Sequence, residues 1–339
     1  MKQPLLGMTL QEMETVVTSL GMPRFTAKQI AQWVYVKNVD DISLMTNISQ
    51  KNRELLSESY EIGKQPCVER QESTDGTVKY LFPTENGLCV ETVFIPDEER
   101  GTLCVSSQVG CRMGCRFCMT GRQGFQGDCT SRDILNQIYS LPEWERLTNI
   151  VYMGQGEPMD NLEAVMRSTE ILTAPYSLAW SPRRITVSTV GVKEKMEQFV
   201  KDSQCHLALS LHNPFHEGRR SMMPAEGGFS LEDALKVLKK YDWSKQRRLS
   251  FEYIVFKGLN DTPRHVKELI RLLTPIKGVR VNLIHFHTIP DTEFQGAADD
   301  TLVWMRDTLT MSGIICTIRA SRGQDIFAAC GLLNSKREP

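Results

Sequence analysis

The run Gly110-Cys111-Arg112-Met113-Gly114-Cys115-Arg116-Phe117-Cys118 holds three cysteines in one short loop. Iron-sulfur clusters are ordinarily held by four thiolates, so this loop is one ligand short. A 4Fe-4S cluster bound by Cys111, Cys115 and Cys118 leaves one iron open to a further ligand, which makes the site reactive. A zinc knuckle is the alternative reading, although tetrahedral zinc sites answer a C-x2-4-C pair with a second, distant pair of Cys or His.

Further along lies Met153-Gly154-Gln155-Gly156-Glu157-Pro158. Here Gly156 lets backbone approach a ligand closely and Glu157 can accept a hydrogen bond from an ammonium group; a plain turn is the other reading. Ser188, the run Ser210-Leu211-His212, and Asn282 place polar groups at the ends of strand-like segments. Each suits a ribose or a base, and each could equally bond nearby backbone. Two cysteines outside the loop, Cys104 and Cys330, sit in polar or glycine-flanked settings, whereas Cys67, Cys89, Cys129, Cys205 and Cys316 read as small buried hydrophobes.

These groups need a scaffold, and the pattern supplies one in three parts. Residues 1–60 read as a helical module, with Thr9, Thr26, Asp41 and Ser49 as helix caps. Residues 61–100 read as a β-hairpin adaptor, with strands at 78–82 and 88–95 and turn signals at Asp75-Gly76 and Asn86-Gly87. From 101 to 339 apolar runs at 103–107, 150–153, 184–189, 206–211, 249–255, 279–284 and 316–320 alternate with amphipathic stretches such as 231–240 and 266–273. Alternating β and α units imply a parallel sheet. The expected fold is therefore α/β, a partial (β/α)6 barrel whose reactive groups lie at the carboxyl ends of its strands.

Composition sets the outer bounds. A chain of 339 residues forms one large domain with an attachment. No run of about 18 apolar residues and no basic-then-apolar leader is present, which points to a cytoplasmic protein without a membrane partner. Ten cysteines in such a chain argue for metal and redox chemistry over a disulfide framework. The net charge of −1 says nothing about an RNA partner, which needs its basic residues clustered.

The CxxxCxxC spacing, with Phe117 before the last cysteine, resembles the radical S-adenosylmethionine superfamily, in which the open iron chelates the methionine moiety and reduction yields a 5'-deoxyadenosyl radical. Over nearly its whole length the chain resembles the RlmN-type adenine-C2 RNA methyltransferases, with the C8-methylating Cfr proteins as near relatives. The likeness runs through Val90-Glu91-Thr92-Val93, Cys104-Val105-Ser106-Ser107-Gln108, Gln123-Gly124-Phe125, Ser181-Pro182-Arg183-Arg184, Ser210-Leu211-His212 and Ala328-Ala329-Cys330-Gly331. Gln123-Gly124-Phe125 matches the C2 form. Gln155, where the family has Met, and residues 284–290 depart from the pattern.

The resemblance implies two S-adenosylmethionine molecules per turnover. One methylates Cys330; the radical from the second takes hydrogen from that S-methyl group, and the carbon radical adds to the base. Cys104 then forms a disulfide with Cys330 to release the product, with Glu91 as proton acceptor. Gly156, Glu157, Ser188, Ser210, Leu211, His212 and Asn282 are implied to bind S-adenosylmethionine. The implied partners are 23S rRNA and tRNA, with a flavodoxin-like electron donor and a monomeric enzyme. Arg112, Arg116, Arg122, Arg183, Arg184, Arg219, Arg220, Arg247, Arg248, Arg319 and Arg322 are the candidate phosphate contacts. A radical enzyme acting on a peptide or small metabolite, and a non-catalytic metal-binding RNA module, are the competing classes.

Overall fold

A computed structural model describes residues 2–245 and 247–335. Helix α1 (Leu10–Ser19) opens on a capping box: Thr9 Oγ1 accepts from the Glu12 amide at 3.3 Å while the Glu12 carboxylate accepts from the Thr9 amide at 2.7 Å. Asp41 and Ser49 likewise cap the short turn Ile42–Leu44 and helix α3 (Gln50–Ser59). The expected Thr26 cap is displaced by one residue. Thr26 is itself the first residue of α2 (Thr26–Ala31), and its buried side chain makes no cap bond.

Buried Leu5, Met13, Val17, Ile30 and Tyr35 hold this module together. Tyr35 also fastens it to the rest: its hydroxyl accepts from the Gly7 amide and donates to the Met8 carbonyl, and its ring lies 5.6 Å from that of Tyr139. Tyr139 belongs to α5 (Ser131–Tyr139), which follows the short α4 (Met119–Gln123).

Strands β1 (Glu69–Glu72), β2 (Val78–Pro83) and β3 (Cys89–Pro96) pair antiparallel through turns at Gly76 and Gly87, both with positive φ. Strand β3 then pairs antiparallel with β4 (Gly101–Cys104). From β4 onward every pairing within this sheet is parallel: β5 (Asn149–Tyr152), β6 (Ile185–Thr189), β7 (His206–Ser210), β8 (Leu249–Val255), β9 (Val279–His285) and β10 (Ile315–Ile318) follow in chain order. One open ten-stranded sheet results, so the hairpins and the barrel share a single hydrogen-bonded layer.

Six β/α units are thus closed by a seventh parallel strand. α4 and α5 lie between β4 and β5, and α6 (Leu162–Thr173), α7 (Lys193–Asp202), α8 (His216–Met222) with α9 (Leu231–Leu238), α10 (Pro263–Leu273) and α11 (Asp299–Met311) make the five later connections. Strand alternation divides the core: Leu249, Phe251 and Tyr253 are fully buried on one face of β8, while Glu252 and Ile254 point into the barrel cavity. The run expected at 103–107 ends as a strand at Cys104. Beyond it the Ser106 amide and hydroxyl turn to Gln137 and to the Glu91 carbonyl.

Candidate active site

The cysteine loop leaves β4 at the carboxyl ends of the barrel strands. Gly110, at φ 74°, makes its entry possible, because a Cβ there would lie 1.7 Å from the Gly124 carbonyl oxygen. The loop is pinned from outside: the Arg116 amide donates to the Met222 carbonyl, and Arg122 donates to the carbonyls of Arg116, Pro290 and Asp291. Cys111, Cys115 and Cys118 consequently line one cavity of about 160 Å3 at the top of the barrel.

Burial pushes the thiols of Cys111 (to about 12), Cys115 and Cys118 up, and the nearness of the other sulfurs adds to this at Cys111 and Cys115. Three desolvated thiols round one cavity are a donor set that only metal charge makes thiolate. The loop supplies three thiols, one short of a closed tetrahedral zinc site. A cluster with several iron corners fits this arrangement better than one zinc.

The same cavity receives Gly156, Glu157, Ser188, Ser210 and His212. Gly156 has φ 97°, and a Cβ on it would meet the Gln108 side chain at 2.5 Å. Glu157 is 3 % exposed; its two oxygens accept from the amides of Met159 and Val190, and burial lifts its carboxyl to about 7. The His212 ring accepts from the Ile254 amide at Nδ1 and packs edge-on to Phe117 at 5.0 Å, and burial lowers it to about 3, so it is neutral. Leu211 lines neither this cavity nor its neighbour: it is fully buried, and its amide donates to the Glu252 carbonyl.

Asn282 faces a second, larger cavity of about 550 Å3. Its amide nitrogen donates to Glu252 Oε1 at 2.7 Å, and its carbonyl accepts from the Thr317 hydroxyl. Glu252 was not singled out from sequence. It is buried and lines the first cavity; its Oε2 has no hydrogen-bond partner, and Arg319 Nε lies 3.6 Å from that oxygen. A lone Glu inside an apolar strand was the signal that could have found it.

Cys330 stands on the wall common to both cavities, together with Cys118, Met153, Gly154 and Arg319, and Cys104 lines the second. The two thiols therefore share one chamber. Burial raises Cys104 to about 12; Cys330 is exposed at the chamber wall, desolvation by the surrounding chain raises it too, and the Arg319 guanidinium opposes the shift at each. The segment after Cys330 is held by Met119, whose amide donates to the Gly331 carbonyl, and by Thr120, whose hydroxyl donates to the Leu333 carbonyl.

Glu91 lies apart, in a third cavity with Lys79, Gln71 and Asn334. Its carboxylate pairs with Lys79 at 3.0 Å and accepts from the Asn334 amide at 2.6 Å; burial raises it, against Lys79. Gln155, buried, joins the two regions: its carbonyl accepts from the Glu91 amide and its amino group donates to Ser335 Oγ.

The candidate phosphate contacts divide sharply. Arg112 and Arg116 pair with Asp160 and Glu293, each at 2.6 Å. Arg219 is 1 % exposed and structural, joined to Glu226 and to the carbonyls of Leu211, Val190 and Ser210. Arg247 caps the carbonyls of Cys205 and Val200 between the rings of Phe199 and Trp243. Folding uses the Arg219 donors internally and turns Arg247 Nε and Nη1 to carbonyls with Nη2 buried, so neither presents its guanidinium to phosphate.

Comparison with known proteins agrees with this geometry. Residues 3–62 match the Ribosomal RNA large subunit methyltransferase N-terminal domain, and residues 105–273 match the Radical SAM superfamily. A relative from Bacteroides thetaiotaomicron named "Probable dual-specificity RNA methyltransferase RlmN" is 56 % identical, covering 99 % of this chain and 97 % of its own. One from Syntrophus aciditrophicus named "Dual-specificity RNA methyltransferase RlmN" is 38 % identical, covering 97 % and 95 %. The crystal structure of a radical SAM methyltransferase from Sphaerobacter thermophilus superposes with a TM-score of 0.92 at 35 % identity, covering 98 % of this chain and all of that one.

Proposed function

The chain belongs to the RlmN family of radical S-adenosylmethionine RNA methyltransferases, which use a 4Fe-4S cluster, and from that premise we propose that it methylates carbon 2 of adenosine through a methyl group carried on Cys330. The observation that carries this reading is the position of Cys330 on the wall shared by the cysteine-loop cavity and the chamber of Cys104. Cluster and S-adenosylmethionine together supply a transferable methyl group and, on one-electron reduction, a hydrogen-abstracting radical.

Adenine carbon 2 is electron-poor and has no lone pair, so a carbon radical must add to it. Cys111, Cys115 and Cys118 hold the cluster; Gly156, Glu157, Ser188, Ser210, His212 and Asn282 orient the cosubstrate, with Glu157 set to receive its ammonium group. Cys330 accepts a methyl group on sulfur, loses one hydrogen atom from it, and delivers the carbon to the base. Glu91 takes the proton from carbon 2. The adduct gives its unpaired electron back to the cluster, and the Cys104 thiolate then attacks the Cys330 sulfur to form a disulfide. The electron pair of the broken sulfur–carbon bond leaves with the product carbon, which takes up a proton to become the methyl group, and an external thiol reductant reopens the disulfide for the next turnover.

For Glu91 to act, the Asn334 amide must leave its carboxylate, so residues 331–335 withdraw as the adenine enters. Two cosubstrate molecules are consumed per turnover, and a flavodoxin-like donor supplies the electron. The substrates are an adenosine of 23S rRNA and the anticodon-adjacent adenosine of tRNA, met by a cytoplasmic monomer. Residues 1–60 act as the RNA-binding module, 61–100 as the adaptor and 101–339 as the catalytic barrel. Nucleoside analysis of both RNAs from cells with and without the gene tests this: 2-methyladenosine disappears from both on deletion, and its persistence would refute the assignment.

A further inference from the structure

The amino ends of the barrel strands, opposite the cysteine loop, carry a cluster of cations that the reaction does not use. Strand alternation defines it. Ser210, Glu252 and Asn282 face the interior near the top, so His206 and Arg280 face the same way four and two residues earlier on β7 and β9, and Arg248, exposed, stands immediately before β8. The Arg248 amide donates to His206 Nδ1 at 2.9 Å, and Ser250 is in register with Arg280. Arg183 joins them from the turn Pro182–Arg184, which leads into β6.

The charges on Arg183, Arg248 and Arg280 all bear on His206, which burial first and these neighbours next hold down at about 4, so it adds no charge. Among the described residues neither His206 nor any of the three arginines has a hydrogen-bonded or ion-paired acidic partner. The chain carries 41 acidic residues against 40 Lys and Arg. Leaving three guanidinium groups together without one acid is therefore a cost that a bound anion would offset.

Next to this cluster the surface changes character. Arg184 lies over the Trp180 ring at 5.7 Å, and Trp180 opens a groove of about 500 Å3 shared with Trp144, Leu178, Lys37 and one acid, Glu145. Lys37 in turn stacks on Trp33 of the helical module, 3.5 Å from its ring centroid. Cations followed by half-exposed indoles are the surface that single-stranded nucleic acid selects, phosphate on arginine and base on aromatic face.

We propose that the base of the barrel is a second RNA-backbone site, in which Arg183, Arg248 and Arg280 hold phosphodiester groups and the Trp144–Trp180 groove leads the strand toward the helical module. It rests on the RNA reading above and adds a contact on the side of the molecule away from the reaction. It gives a large folded RNA a grip that a short stem-loop presenting only the target adenosine lacks.

The test uses the cluster-containing full chain and an unmodified tRNA transcript, with a short anticodon stem-loop as control. Arg183→Gln/Arg248→Gln/Arg280→Gln is expected to weaken transcript binding on the order of ten-fold and to flatten the dependence of log Kd on log salt by about 0.7–0.9 per phosphate lost. The triple Lys variant should retain that slope. Equal affinity and equal slope for the Gln and wild-type proteins overturn the proposal.

A second measurement needs no variant: transcript, unlike stem-loop, should protect these three arginines of the wild type from phenylglyoxal, read by mass spectrometry. Protection by inorganic phosphate alone would assign a small-anion site and overturn the RNA assignment. Methylation of the transcript by the wild type, followed in the same buffer, keeps the two readings distinct. Methylated RNA with arginine-independent binding sinks only the second site, and unmethylated RNA sinks the function itself.

Discussion

At the scale of single residues, the chemistry turns on groups that desolvation has displaced from their ordinary protonation behaviour. Glu157 is raised to about 7 by burial, in a protein without its cosubstrate. An acid raised in the folded state contributes stability that is full below its unfolded value, about 4.3, and falls as pH climbs through about 7. Glu157→Gln removes that charge. Its melting temperature relative to the cofactor-free wild type should thus be higher at pH 8 than at pH 5, and a pH-independent difference would contradict the burial argument. Cys104→Ser leaves the Cys330 adduct without its attacking thiolate, so a covalent protein–RNA species should accumulate on denaturing gels, sensitive to nuclease. Absence of that species while turnover continues would remove Cys104 from the mechanism.

At the scale of elements, the hairpin turn between β1 and β2 clamps the segment that carries Cys330. Asp75 accepts from the Gly323 amide at 2.8 Å, and Asp325 accepts from the Ser73 hydroxyl at 2.6 Å and the Thr74 amide at 3.1 Å. Asp325→Ala should raise amide hydrogen exchange across 321–335 and slow RNA methylation while the cluster absorbance is kept; unchanged exchange would show the clamp to be idle. A second element-level contact is the buried Arg219–Glu226 pair, which ties α8 to the ends of β6 and β7. Arg219→Ala strands Glu226 without a cation and should cost about 3–5 kcal/mol in denaturant unfolding.

These contacts also explain what could be read in advance. Caps at Thr9 and Ser49, the Asn86-Gly87 turn and the apolar strand at Leu249–Val255 are local signals, and local signals survive folding. The cysteine loop was legible for the same reason, its three ligands lying within one turn of chain. Arg219 looked like a surface cation because nothing nearby in sequence shows that Leu211, Val190 and Ser210 present their carbonyls to it. Glu252 and the Asn334–Glu91 contact were hidden likewise, since each joins residues far apart in the chain.

At the scale of the whole molecule, one continuous sheet carries both halves of the chemistry. β3 brings Glu91 to a neighbouring cavity, β4 brings Cys104 and leads into the cysteine loop, and the chain beyond β10 returns Cys330 to the wall between the Cys104 chamber and the cysteine-loop cavity. The most direct check follows methyl-labelled S-adenosylmethionine in the reduced, cluster-reconstituted protein with and without RNA. The account predicts label on Cys330 in the absence of RNA, its passage to carbon 2 of adenosine when RNA is added, and loss of both in Cys330→Ala. Label reaching adenosine in Cys330→Ala would contradict it.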